Sequence, residues 1–507
     1  MRPTVLAIVG YIAAGLVMSA LFGPLWGWGF VAAAAMAAML FSRPDLLLAL
    51  YWLAVSLRDY LTTTVVRFQL LDFLDEVFIV TFAGMALVSR ILGRPRRDAN
   101  LRWVNRFLFA LLFLAGASTL LNRAAYKGAF SFLLTYLGFF ATFYVAYDAL
   151  RDRPRAARWI WRIVVGFLLV QLVANLGWLA GLNPLPNWRL GTLDFAIGLC
   201  GNSVYLAHLA VLVAFFAFSL FRHSGGAPRR WRFLIVVPIA AVQLVLAYAN
   251  HAFIVAGALL LIYVTLATHR LRYLLSSLAV CAVLFVGLQS LDAAGLLSDN
   301  PIRRLSGDNL RSRWQSMVYG PKGEIARNVF LIAPREIPCF MLVGAGPGNF
   351  GSSVAQESHP PLAAKYINYI RETWSGRRSL FGSSILQHYI TGVLAIYSEL
   401  GPLGALLFFG FHLYALFRVL RRLHRNAYPL VFQRALAEVF VLAMCQYLVM
   451  NLLTDLLNAD IWQAPLWIVA AVVWNPIGAE QAQSAAVPVE PETAPEPQPL
   501  AAASRHD

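Results

Sequence analysis

Long apolar runs constrain this chain more than any other feature. Runs of roughly 17–25 apolar residues recur to about residue 475, each long enough to cross a hydrocarbon core of about 30 Å. In lipid every backbone N–H and C=O must pair within the protein, so such runs are expected to be helices rather than open sheet. They do not alternate apolar with polar residues, which excludes a β-barrel reading. Of the 507 residues 59% are hydrophobic and 13% are charged, whereas a soluble domain carries about a quarter charged residues.

The net charge of +16 raises the possibility of a nucleic-acid partner, but its distribution argues against one. Arginines cluster in short connectors between apolar runs, at Arg94–Arg106, Arg151–Arg158, Arg222–Arg232 and Arg418–Arg425. This is the pattern of cytoplasmic loops under the positive-inside rule. Spans are expected to begin near residues 4, 26, 46, 76, 107, 128, 160, 198, 233, 252, 274, 390, 431 and 459, about 12–14 in all. Leu46–Leu57 is shorter than the rest, and Tyr60–Phe73 is a candidate interfacial helix. Assigning the Arg-rich connectors to the cytoplasm makes the sides alternate and places both termini inside.

The expected fold class is therefore all-α, a polytopic transmembrane helix bundle with one large periplasmic loop late in the chain. It divides into an N-terminal bundle (1–290), the loop (291–388), C-terminal transmembrane helices (389–476) and a Pro-, Glu- and Ala-rich tail (477–507) expected to be disordered and cytoplasmic. The loop is itself basic, which long translocated loops tolerate. The first run, from about Val5 to Leu21, lacks a clean small-residue cleavage site and reads as a retained anchor. Cys200, Cys281, Cys339 and Cys445 form neither a disulfide framework nor a metal-ligand spacing.

Three segments, in order and on the same expected side, resemble the O-antigen polymerase and ligase family of bacterial polysaccharide-assembling membrane proteins. Trp188-Arg189-Leu190-Gly191-Thr192-Leu193, followed by Asn202, resembles the family's Arg-x-x-x-Leu outer-loop motif. Leu310-Arg311-Ser312-Arg313-Trp314 leads into Gly344-Ala345-Gly346-Pro347-Gly348-Asn349-Phe350-Gly351, similar to the family's Arg…Trp segment and Gly-x-Gly-x-Gly-x-Phe turn. His388, then Tyr397-Ser398-Glu399-Leu400-Gly401-Pro402-Leu403-Gly404, resembles the His-led entry into a helix bearing Glu-x-Gly-x-x-Gly. The spacing departs in two places. The family has His-Asn about nine residues before that Glu; here position 390 is Ile, and His388 sits two residues earlier, followed by Tyr389. Arg311 is three residues before Trp314 rather than four. The sequence around the Gly-rich turn, with Lys365-Tyr366 following, is closer to exopolysaccharide polymerases than to ligases.

The resemblance implies a donor glycan on polyprenyl diphosphate at the outer membrane interface, and no cofactor. Such chemistry needs cations for the diphosphate and a base for an acceptor hydroxyl. Arg suits a diphosphate because its planar fork donates bidentately and stays charged. Arg189 is the first candidate, against the alternative of an interfacial Arg that snorkels. Arg311 or Arg313 would supply a second cation, against that of a solvated loop charge. His388 would act as general base, since imidazole titrates near working pH. Asn202, His359, Gly346 and Gly348 are further substrate-contact candidates. Glu399 reads equally as a helix-packing residue or as part of the site. It is expected about three turns inside its span, facing the bundle interior with a partner. His208 reads as a bundle residue.

The segment Gly346–Gly351 matches Gly-x-Gly-x-x-Gly, but no βαβ unit surrounds it, so a dinucleotide site is rejected. A turn packing the loop onto the bundle is the better reading. No Asp-x-Asp motif is present, which argues for metal-independent transfer. The expected partners are the polyprenyl-diphosphate-linked oligosaccharide, membrane lipid, a chain-length regulator and a flippase. The resemblance points first to a polymerase that joins lipid-linked repeat units into exopolysaccharide or O-antigen; the alternatives are a ligase moving glycan to lipid A-core or protein, and a lipid-linked oligosaccharide flippase or other transporter.

Overall fold

The computed structural model describes residues 44–60, 74–92, 99–150, 153–180, 182, 198–200, 203–227, 230–247, 250–268, 315, 319, 321–358, 360–365, 390–453 and 460–474. The expected spans near residues 4, 26 and 274, and the tail from 477, lie outside these residues.

The described residues are all-helical. The bundle helices are α1 (Pro44–Tyr60), α2 (Leu74–Leu92), α3 (Arg102–Leu121), α4 (Tyr126–Leu137), α5 (Phe139–Leu150), α6 (Ala156–Leu179), α7 (Ser203–His223), α8 (Val236–Ala247) and α9 (Asn250–Thr268). The loop contributes short helices α10 (Pro321–Arg327), α11 (Ala333–Glu336), α12 (Phe340–Val343) and α13 (Ser353–Ser358). The chain then returns through α14 (Gly392–His424), α15 (Val431–Leu453) and α16 (Asp460–Trp474). Among the described residues six helices are long and apolar enough to cross a membrane, or seven if the pair α4 and α5, bent by 43°, counts as one span. Segments within α1, α2, α9 and α16 are shorter apolar helices.

The α4–α5 bend falls at Gly138. A Cβ there would meet the Leu134 carbonyl at 2.2 Å and the Ile79 side chain at 2.8 Å, so only Gly lets α2 approach. Around the bend sits an aromatic core. Phe139 stacks on Trp467 with centroids 4.6 Å apart, Phe411 stacks on Trp467 at 5.2 Å, and Phe143 meets Trp474 edge-on at 5.0 Å. Offset and edge-to-face geometries of this kind add to the dispersion gained by burial. His412 is buried within the cluster, its Nδ1 2.9 Å from the Phe408 carbonyl. His208 is buried too and packs edge-on against Trp462.

The Arg-rich connectors gather at one end of the bundle. Arg418 donates to Asn100 Oδ1 at 2.8 Å and lies over the Trp474 ring, whose Nε1 donates to the Asn100 carbonyl at 3.2 Å. Tyr428 donates to the Val473 carbonyl at 2.8 Å. Arg158 lies over Phe432, which Phe233 meets edge-on. At this same end, buried Glu438 of α15 accepts from Ser219 and Arg222 of α7, with His223 Nε2 at 2.8 Å. α3 starts at this basic pole, and its 20 residues rise about 30 Å to the opposite pole, a hydrocarbon-core thickness away.

The described part of the loop packs onto the start of the helix that follows it. Ile325, Val329, Ala333, Ile337, Phe340 and Phe350 form one apolar cluster with Ile390, Leu394 and Ala395 from the start of α14. The loop's core therefore runs across the expected 388/389 boundary.

Candidate functional site

At the pole opposite the arginines, α14 breaks, and the break builds a docking surface. An α-helix pairs each carbonyl with the N–H four residues on. For Ser398 that residue is Pro402, which has no N–H and cannot accept a regular preceding turn. Gly401 resolves the conflict by adopting φ 72°, ψ 179° inside the helix, a conformation closed to residues with a Cβ. The freed Ser398 carbonyl accepts from Ala345 N at 2.8 Å, and the Glu399 carbonyl accepts from Gly346 N at 3.1 Å. The Gly-rich turn thus pairs with the opened helix much as a strand would.

The Glu399 side chain closes the other half of the clamp. Its carboxylate accepts the backbone N–H groups of Gly348, Phe350 (3.3 Å), Gly351 (3.0 Å) and Ser352 (2.7 Å). Successive N–H groups converging on one anion form a nest, the arrangement that elsewhere binds phosphate. Here the anion belongs to the protein, and Glu399 is 0% exposed. Charge-assisted bonds to backbone donors are among the stronger hydrogen bonds, so the carboxylate fixes the shape of residues 348–352.

The last turns of α3 and the first of α4 complete the surface. Ser118 Oγ donates to the Val343 carbonyl at 2.5 Å, and Asn122 Nδ2 donates to the Gly344 carbonyl at 3.1 Å. Gly348 lies against Gly128: a Cβ on Gly348, which has φ +68°, would sit 2.5 Å from the Gly128 carbonyl oxygen. Gly404 lets Leu114 of α3 approach α14, with a Cβ there 3.1 Å from Leu114 Cδ2. Ser353 N donates to Tyr136 Oη at 3.2 Å, tying the start of α13 to α4.

These contacts give the candidates different fates. Glu399, Gly346 and Gly348 come together in one unit. Gly346 and Gly348 supply backbone donors to Glu399, and Glu399 is filled by the turn. The partner expected for Glu399 is thus a set of backbone N–H groups. It also lies about two turns inside α14, at the break, rather than three turns into an unbroken span. Arg189, Asn202, Arg311, Arg313, His359 and His388 lie outside the described residues.

Two cations that the sequence reading passed over flank the turn. Arg123, in the short α3–α4 connector, and Lys127, in the first turn of α4, are both exposed and sit beside Asn122 and Gly128. Arg123 takes φ 48°, an uncommon conformation for a residue with a Cβ. The signal was available: a basic pair in a connector assigned to the outer side runs against the positive-inside trend. Beside them Tyr126 is 88% exposed and Phe130 is exposed. The surface thus offers cations and aromatic faces next to the turn.

No protein-family model matches the chain, and no curated protein matches it. The geometry defines the class: an all-helical protein with membrane-length helices and a loop clamped onto one pole.

Proposed function

We propose that this chain is a membrane glycosyltransferase. It polymerises polyprenyl-diphosphate-linked oligosaccharide repeat units into exopolysaccharide or O-antigen on the periplasmic side of the bacterial inner membrane. One observation carries the reading. The Gly-rich turn and the Glu-x-Gly-x-x-Gly helix, two of the three segments behind the family resemblance, meet in a single hydrogen-bonded unit through Glu399. That unit lies at the pole opposite the clustered arginines, so the loop is held at the outer mouth of the bundle if the arginines face the cytoplasm.

In the proposed reaction the acceptor hydroxyl of a lipid-linked repeat attacks the anomeric carbon of the nascent chain. The bond from that carbon to the diphosphate oxygen breaks, and a new glycosidic bond forms. The hydroxyl proton passes to His388, and polyprenyl diphosphate leaves with the bonding pair. Arg189, with Arg311 or Arg313, holds the diphosphate as its charge grows. Cationic donors are worth most there because the interaction strengthens in the transition state. Arg123 and Lys127 add positive charge at the same mouth. The clamp's part is to hold the Gly-rich turn against α3, α4 and α14.

The glycan profile of a strain lacking the gene tests this assignment. A polymerase defect leaves single-repeat glycans on the carrier's normal acceptor. Loss of attached long chains with free polymer retained indicates a ligase instead, and lipid-linked units trapped on the inner face indicate a flippase.

A further inference from the structure

We propose a phosphate site for an anionic phospholipid at the basic pole, in a cavity of about 480 Å³ between α9, α14 and α15. This proposal is independent of the glycan chemistry. Phe417, Leu420, Arg421 and His424 line the cavity from one face of α14, at the i, i+3, i+4, i+7 spacing that stacks side chains along a helix. Arg434 and Glu438 line it from α15, and Leu266 from α9.

The charge balance favours an anion. Glu438 is the only carboxylate among the described lining residues, and Arg222 already matches it as a salt bridge. Among the described residues no carboxylate is in ion-pair contact with Arg421 or Arg434. The Arg434 Nε is buried and has no hydrogen-bond partner there, a donor that costs stability until it is satisfied. Two guanidinium groups and an imidazole around one volume suit the oxygens of a phosphate.

The apolar part of the lining identifies the carrier of that phosphate. Phe417 is 61% exposed on the outside of the bundle, beside Leu420 and Leu266. A free phosphate would use only the cations. A phospholipid would place its headgroup between Arg421, His424 and Arg434 and lay its acyl chains along Phe417, Leu420 and Leu266. Basic pockets between helix ends recognise anionic headgroups on the cytoplasmic side in this way.

The test uses the full-length protein, purified in detergent and titrated with phosphatidylglycerol or phosphatidylcholine under native mass spectrometry. Occupancy by phosphatidylglycerol should exceed that by phosphatidylcholine at least about 10-fold, and should fall about 10-fold in R421Q/R434Q. Exposed Arg421 gives a variant with little risk to folding, and R421Q alone should lower occupancy several-fold. Equal binding of the two lipids, or unchanged phosphatidylglycerol occupancy in folded R421Q, would overturn the proposal. Inorganic phosphate forms a third arm. Displacement of the lipid by millimolar phosphate would mark a small-anion site and reject the lipid assignment.

Discussion

Glu399 shows how one residue's role can be half visible in a sequence. A glutamate in an apolar helix must have a partner, because an unpaired charge in hydrocarbon is costly. The partner was not legible, since it is four backbone N–H groups 47–51 residues earlier in the chain, and backbone donors leave no residue-type signature. Their convergence depends on the conformation of the turn, which its glycines permit but do not by themselves specify. Replacing Glu399 with Ala removes the shared acceptor and leaves several buried donors unpaired. We expect a loss of at least about 3 kcal/mol, read as a lowered thermal midpoint in detergent and as new protease cleavage within 344–352. Arg189, known only from its motif, has a sharper chemical test. If it grips a diphosphate with parallel donors, Arg189→Lys should fail almost as badly as Arg189→Ala, because Lys keeps the charge but loses the fork. If it anchors a helix at the interface, Lys snorkels equally well and activity survives. Polymer length at matched protein levels separates the two.

Helices were the most legible elements, because apolar run length and Arg-rich connectors mark where they start and stop. What the runs do not reveal is where a helix breaks. Within α14 the Gly401-Pro402 pair was a readable signal, since Pro withdraws a donor from the turn before it. What remained hidden was that the carbonyls freed at Ser398 and Glu399 would be paired by the turn at Ala345 and Gly346. Gly401→Ala tests this element. Its Cβ would lie 2.7 Å from Gly344 N at a φ of +72°, so either the kink or the docked turn must give way. The backbone strain alone costs about 1–3 kcal/mol. Amides of residues 344–352 should exchange faster with deuterium in the variant while those of α15 stay protected. Unchanged exchange across 344–352 would show that the turn does not depend on the break. The buried contact of Glu438 with Arg222 and His223 is another pairing that no local pattern announces, because its residues lie more than 200 positions apart.

At the scale of the whole molecule, the described residues form two poles. Arginines, Asn100 and the helix ends around Phe432 occupy one pole, and the clamped turn occupies the other. If positive charge stays in the cytoplasm, exposed Cys339 reports the outer side, and a Cys at Gly226, exposed and with nothing near its Cβ, reports the inner side. In spheroplasts carrying one thiol at a time, an impermeant maleimide should label Cys339 and spare Gly226→Cys; the reverse would invert the topology. The central claim, glycan transfer at the clamped pole, is tested most directly with purified protein in proteoliposomes supplied with a synthetic polyprenyl-diphosphate-linked repeat unit. The account predicts a ladder of lengthened lipid-linked glycans, with one polyprenyl diphosphate released per added repeat. In the His388→Ala variant it predicts turnover at least ~100-fold slower, with substrate still bound. A folded, correctly oriented protein that leaves the repeat unit unextended would contradict it.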